Sequence, residues 1–431
     1  MTQGVVPGLR KTGPVTPKGP PPISLTIWNV FEDEDVYSEL IFEYKKLNPN
    51  VTVDYVKVDY LEYRVKLLNA FASGTAPDIF AMHNTWLPLE KDRISPARQT
   101  LPIVSQFDQV FPRIVREDFT RVNENGERNI YALPLSIETL GLFYNKDYFE
   151  TANIASAPKT WEELIDYAKL FTQLDDAGKI KISGIALGTA GNINRAADII
   201  SLLMLQAGAH MNNELLSEAT FDDQVWIGEE GPQQKRFSPG KEALQFYLAF
   251  SDPASNAYSW NADMPYSIDA FVQGKTTMMI NYPHHISTIM SKAPHLNVEV
   301  APMPQLQDRK ENTNYASYWG FAVSKSSQNK DAAWDFVNFL VQPENEKKYL
   351  EKAKAPTSRL DLILWQQQDP MLKHFANQIV EAKSWYQGDS TAVETILEDM
   401  ISGASTKAKT IEEALEDAAA RVTVVIQKVR E

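Results

Sequence analysis

The stretch "ISLTIWNVFEDEDVYSELIFEYKKLNPNVTVDYVKV", residues 23–58, sets the reading of the fold. Its first eight residues are apolar and β-branched, which predicts a strand. Val36, Leu40, Tyr44 and Leu47 then recur at i, i+4, i+8 and i+11, one face of a helix. "NPN" at 48–50 stops that helix, and "VTVDYVKV" predicts a second strand. A helical "LEYRVKLLNAFASG" ending on Gly74 and a third strand, "PDIFAM", follow. This strand, helix, strand order implies a largely parallel sheet covered by helices, the α/β class.

Four consecutive carboxylates, Glu32 to Asp35, sit between the first strand and the first helix. They lack the glycine turn and alternate spacing of a calcium loop. Acidic residues at that place complement the positive end of a helix dipole, each by about 0.3–1 kcal/mol, so three are expected to begin the helix. Glu32 is the one left for a ligand.

The rest of the chain continues the alternation. "APKTWEELIDYAKLF" carries a capping box on Thr160 and Glu163, and "TIEEALEDAAARVTVVIQKV" carries a second on Thr410 and Glu413. "TTMMINY", "VEVAPMP" and "SYWGFAVSK" predict strands, and "NKDAAWDFVNFLVQ" an amphipathic helix.

At 431 residues the chain is long enough for two large lobes. Its 43% hydrophobic and 23% charged residues are those of a soluble globular protein, and no apolar run reaches 18 residues. A net charge of −14 disfavours nucleic acid, and the absence of cysteine removes disulfides and thiolate chemistry. Residues 1–22, with six Pro and four Gly, read as a disordered linker. A tether to a lipid anchor absent from this sequence and a merely disordered terminus both fit it.

Catalytic motifs fail on inspection. "AFVQGKTT" ends like a phosphate loop, but the first glycine of that motif falls on Asp269 and the segment leads from helix to strand. Gly274 reads instead as a helix stop. No HExxH, G-x-S-x-G or G-x-G-x-x-G is present. A pair of carboxylates about 5–9 Å apart, enough for a glycosidase, needs no local motif and stays open.

At "YALPLSIETLGLFYNKDYFETANIASAPKTWEEL", residues 131–164, the chain resembles the extracellular solute-binding proteins of family 1, the maltose-type receptors of ABC importers. "FASGTAPDIFAM" at 71–82, "FVQGKTTMMINYPHH" at 271–285 and "YWGFAVSKSSQNKDAAWDFVNFLVQPENEKKYL" at 318–350 resemble the same family, in its order. The resemblance implies a periplasmic-binding-protein-like fold of two α/β lobes, joined by two or three crossing segments, that close over a solute by hinge motion. Lobe 1 is then expected at 23–135 and 282–333, and lobe 2 at 136–281 and 334–431. It also implies an extracytoplasmic, lipid-anchored monomer that hands an oligosaccharide or polyol to permease subunits, without cofactor or metal. A receptor of the same fold for a polyamine, phosphodiester or peptide is the alternative, and a carbohydrate-active enzyme a further one.

Ligands of open α/β sheets bind beyond the carboxyl ends of the strands. That rule and the resemblance select Trp28, Asn29 and Glu32 after the first strand, Asn84 and Trp86 after the third, and Glu138 on the crossing strand. Trp260, Tyr282, His284, Trp319, Trp385 and Tyr386 complete the set. Aromatic faces and carboxylates match the two sides of a sugar ring. Each choice carries its alternative: Trp86 and Trp260 as core, Glu138 as a hinge stabiliser, His284 as a cap on the next helix. Trp161 and Trp334 are assigned to packing. Asn84 stands where the family usually has Asp, and Tyr318 and Trp319 where many sugar binders have a second glycine.

Overall fold

The computed structural model describes residues 20–227, 234–307 and 311–429. The linker expected at 1–22 lies outside them, apart from Pro20 to Pro22.

Strand β1 (Ile23–Asn29), helix α1 (Glu34–Leu47), β2 (Val51–Lys57), α2 (Tyr60–Ser73) and β3 (Ile79–His83) follow in the expected order. The buried stripe of α1 is Tyr37, Leu40 and Tyr44, while Leu47 is 70% exposed. The spacing i, i+3, i+7 centres the face on Tyr37, one position round from the expected Val36. Helix α3 (Arg113–Phe119) and β4 (Ala132–Pro134) complete the first pass through this lobe.

The second lobe opens with β5 (Glu138–Thr139) and β6 (Gly141–Asn145), then α4 (Trp161–Phe171), β7 (Gln173–Leu174), β8 (Ile180–Ala186) and α5 (Ala196–Ala207). Thr160 caps α4 by accepting from the Glu163 N–H, but Glu163 returns its bond to Lys159 N rather than Thr160 N, so that box is displaced by one residue. At β8, a Cβ on Gly184 would lie 2.1 Å from the Ala168 carbonyl of α4, which only glycine avoids. After β9 (Thr276–Asn281) and β10 (Val298–Ala301) the chain recrosses through β11 (Asn314–Ser317). Gly274, at φ +67°, ends the helix before β9, as a helix stop must.

Next come β12 (Trp319–Val323), α6 (Lys330–Leu340) and α7 (Pro343–Ala353), then the third crossing at β13 (Ala382–Lys383) and helices α8 (Ser390–Ser405) and α9 (Ile411–Lys428). The box at Thr410 and Glu413 is complete in both directions.

The first sheet has strand order β2-β1-β3-β12-β4 and the second β10-β6-β9-β8-β7. They are less parallel than expected. Only β1 with β2, β1 with β3 and β8 with β9 run parallel within them, because β12 and β6 arrive from the other lobe and enter antiparallel. Between the lobes, β13-β11-β5 form a three-stranded sheet of crossing segments, the hinge.

The two hydrophobic cores divide the chain differently from the expected limits. Tyr282, Ile289, Val300 and Met303 belong to the second core because β10 pairs with β6. Trp334, Phe336, Tyr349, Leu350 and Leu362 belong to the first, because α6 and α7 fold back on the sheet that β12 joins. The first core thus holds residues up to Ile137, from Ala316 to Leu362, and Ile379 and Ala382 at the third crossing, and the second holds Leu140 to Tyr315, Leu372, Phe375 and Trp385 onward.

Candidate functional site

The end of β1 places Asn29 inward, where its amide donates to Glu32 Oε2 (2.8 Å) and to the Tyr37 hydroxyl (3.1 Å). The other Glu32 oxygen accepts from the Tyr349 hydroxyl at 2.7 Å. Glu32 is therefore held by neutral donors. Asp33 is the N-cap residue of α1 and pairs with Lys57 at 2.8 Å, and Glu34 and Asp35 occupy the first turn. Asp33 to Asp35 thus begin the helix, and Asp33 and Asp35 also border the interlobe cleft beside Glu32.

These groups line a cleft of about 650 Å³ between the lobes, a size suited to a small solute. Asn29, Glu32, Glu138, Tyr282, His284 and Trp319 all border it. On the first lobe, Phe31 stacks on Tyr60 (5.7 Å between centroids) and meets Trp319 edge-on (5.7 Å), with Phe31 and Tyr60 51% and 50% exposed. Together they form an open aromatic shelf.

The remaining expected residues lie elsewhere. Trp28 alternates with Ile27 and Asn29 along β1, so the pleat turns it to the other face of the sheet, partly buried in the first core. Trp86 is buried behind Trp319, edge-on at 5.0 Å, and supports the shelf from the rear. Trp260 is 0% exposed in the second core, its indole donating to Asn192. Asn84, Trp385 and Tyr386 border a separate cavity of about 520 Å³, and Trp385 is packed in the second core with its indole N–H on Ser201.

On the second-lobe wall, beside the expected Tyr282 and His284, sequence reasoning missed Arg195, Asp198 and Glu394. Arg195 precedes α5 in the left-handed region (φ 64°), with Nε and Nη2 on Asp198 Oδ2 at 2.9 and 2.5 Å and Glu394 at 3.6 Å. The Tyr282 hydroxyl donates to the same Asp198 oxygen at 3.0 Å, and Arg195 lies 5.5 Å over the Tyr282 ring. "NRAAD" shows the i, i+3 pair in the sequence, but nothing local announces Glu394. Phe31 lay inside the stretch first quoted and Tyr60 at the head of α2, without a motif to mark either.

Electrostatics keep part of the wall neutral. Enclosure, aided by Arg195 and Arg64, pushes His83 down to about 3, so it hydrogen-bonds Thr85 and Ser317 as a neutral ring. Burial and then the Glu32 charge raise the Tyr37 hydroxyl well above its ordinary range, fixing it as a donor or acceptor without charge. Among the described residues, no group of three or more His, Asp and Glu is arranged to hold a metal ion. None of their helices is long and apolar enough to cross a membrane.

A family model described as bacterial extracellular solute-binding protein matches residues 28–347, well over half of the sequence. The chain belongs to that family. This solute-binding protein is 23% identical over 323 residues to the putative ABC transporter periplasmic-binding protein YcjN of Escherichia coli, covering 73% of this chain and 67% of the relative. It is 25% identical over 331 residues to the maltotriose-binding protein of Pyrococcus abyssi, covering 74% and 63%. A cyclo/maltodextrin-binding protein solved with maltotetraose superposes with a TM-score of 0.73 at 21% identity, over 96% of this chain and 99% of that one. The solute-binding protein thus shares the two-lobed architecture of that structure, with its cleft where the hinge sheet joins the lobes.

Proposed function

We propose that the protein is the extracytoplasmic receptor of an ABC importer, which takes an oligosaccharide or related polyol into the interlobe cleft and delivers it to permease subunits. The observation that carries this reading is the pairing of an aromatic shelf, Phe31, Tyr60 and Trp319, with hydrogen-bonding carboxylates at Glu32, Glu138 and Asp198. Rings cover the apolar faces of sugars, and carboxylates accept their hydroxyls. The maltotriose and maltodextrin specificities of the similar proteins support the same class. Binding shifts the lobes toward a closed form that the permease reads, and the protein performs no chemistry on the solute. A lipid anchor upstream of the Pro/Gly-rich segment holds the receptor at the membrane.

Isothermal titration against a panel of neutral oligosaccharides, beside thermal shift and chromatography of the recovered sugar, tests the reading. Saturable heat and a raised Tm with intact sugar are expected. Product formation would make the protein an enzyme instead.

A polyamine is the second candidate, favoured by one observation: the side-chain partners of Glu32 are Asn29 and Tyr349, and among the described residues no cation pairs with its charge. The acidic lining disfavours a phosphodiester by the same logic. Silence across the sugar panel with a response to spermidine selects the polyamine.

A further inference from the structure

Phe31 and Glu32 are consecutive, so the aromatic shelf and the carboxylate held by Asn29 and Tyr349 stand side by side in the cleft. Beneath Glu32, the ring of Tyr37 stacks on Tyr55 (5.0 Å between centroids) and meets Tyr349 at 5.5 Å. Tyr37 and Tyr349 are buried yet border the cleft. The Tyr55 hydroxyl donates to the Glu32 carbonyl at 2.6 Å and the Tyr349 hydroxyl to its side chain, so tyrosines fix this residue at both ends.

The other charges of the cleft are largely matched. Asp198 and Glu394 share Arg195, Glu138 holds His284, Asp33 pairs with Lys57, and Lys352 turns to Glu39 at 3.3 Å. Asp35 lies exposed in the first turn of α1, where the helix dipole favours it. Lys354, exposed at the C-cap of α7, pairs with no carboxylate among the described residues. Glu32 is half-buried, and no cation answers it. Burial first, and then the charges of Glu32, Asp33, Asp35 and Glu138, raise the hydroxyls of Tyr37, Tyr55 and Tyr349. The space beside these tyrosines is therefore negative.

We infer that the solute is an amino sugar, alone or within an oligosaccharide, its ring covering the shelf and its ammonium group seated on Glu32 beside the tyrosine rings. A solute that covers the shelf also takes water from Glu32. A neutral hydroxyl leaves that charge without a counter-ion, whereas an ammonium supplies one and is attracted by the aromatic faces as well. A linear polyamine meets the charge but offers no ring face to Phe31, Tyr60 and Trp319. The inference rests on the saccharide reading above and narrows its class.

Calorimetry on the full-length protein with paired saccharides, each as the free amine and as its N-acetyl form, tests it. The pairs are glucosamine, galactosamine, mannosamine and short glucosamine oligomers, with maltotriose and spermidine beside them. At least one free amine is expected to bind roughly tenfold or more tightly than its N-acetyl form. Glu32→Gln, which keeps the shape and removes the charge, is expected to bring that ratio to about one. Trp319→Ala is expected to weaken both forms and keep the ratio. Equal binding of the two forms, binding of neutral saccharides alone, or a ratio unchanged in folded Glu32→Gln overturns the inference and leaves the saccharide reading standing. Response to spermidine alone overturns both, and silence across all probes overturns the inference. If Glu32→Gln fails the circular dichroism check for folding, salt decides on the wild type: the free-amine advantage shrinks as ionic strength is raised about tenfold, and an unmoved advantage overturns the inference.

Discussion

Glu138 Oε2 and His284 Nδ1 meet at 2.7 Å, joining the first crossing strand to the second-lobe wall of the cleft. Both were expected at the site, and the fold places them in one hydrogen bond. A solute hydroxyl seated here accepts or donates to a pair already oriented. Glu138→Gln keeps the shape and removes the charge, and a hydrogen bond to a charged group contributes about 1.5–3 kcal/mol. Roughly tenfold or greater loss of affinity is expected by calorimetry with the oligosaccharide that binds in the panel. An unchanged Kd would leave Glu138 a hinge residue only.

Trp319 and Trp385 are predicted to separate. Trp319→Ala removes the centre of the aromatic shelf and is expected to weaken solute affinity by at least about 1 kcal/mol with the fold intact. Trp385, expected from sequence to stack on a sugar, is packed against Phe221 in the second core. Trp385→Ala is expected to lower stability by about 3–5 kcal/mol in denaturant unfolding while the remaining folded protein keeps its affinity. Equal affinity losses in the two variants would contradict this division.

Arg64 on α2 reaches across to the second lobe, 3.4 Å from the Gly388 carbonyl and 3.6 Å from Asp389, while lying 5.1 Å over the Trp86 ring. Asp389 also caps α8 by accepting from the Thr391 and Ala392 N–H groups. The contact is partly exposed, so about 1 kcal/mol or less is at stake. Arg64→Ala is expected to speed solute release a few-fold in stopped-flow measurements, with added salt narrowing the gap from wild type.

Glu346 in α7 is fully buried, accepting from Thr357 Oγ1 (2.8 Å) and Ser358 N (3.0 Å). Desolvation pushes it up to about 8 despite these donors. A raised carboxylate favours folding while protonated, so its contribution is complete below about 4.5 and is lost as pH rises through about 8. Stability is expected to fall over that window by up to about 1.4 kcal/mol per pH unit from this group. Glu346→Gln, always neutral, should flatten the slope in urea titrations between pH 5 and 8; an identical slope would show that Glu346 ionises freely.

Much of the architecture is legible in the order of residues, because helices and strands are set by local periodicity and caps. The 23–58 stretch, the box at Thr410 and Glu413 and the stop at Gly274 needed no partner from elsewhere. Asn29, Glu32, Glu138, Tyr282, His284 and Trp319, which border the cleft, were legible through the strand-end rule taken together with the family resemblance. Tertiary structure alone decided the rest. Trp28, Trp260 and Trp319 are chemically alike, and only the strand pleat and lobe burial determine that Trp319 faces the cleft while the others pack inward. Arg195 and Glu394, far apart in the chain, become one ion pair when α5 and α8 come together. The side of the hinge taken by 282–315 and 334–362 follows from sheet pairing, a long-range choice that local periodicity does not encode.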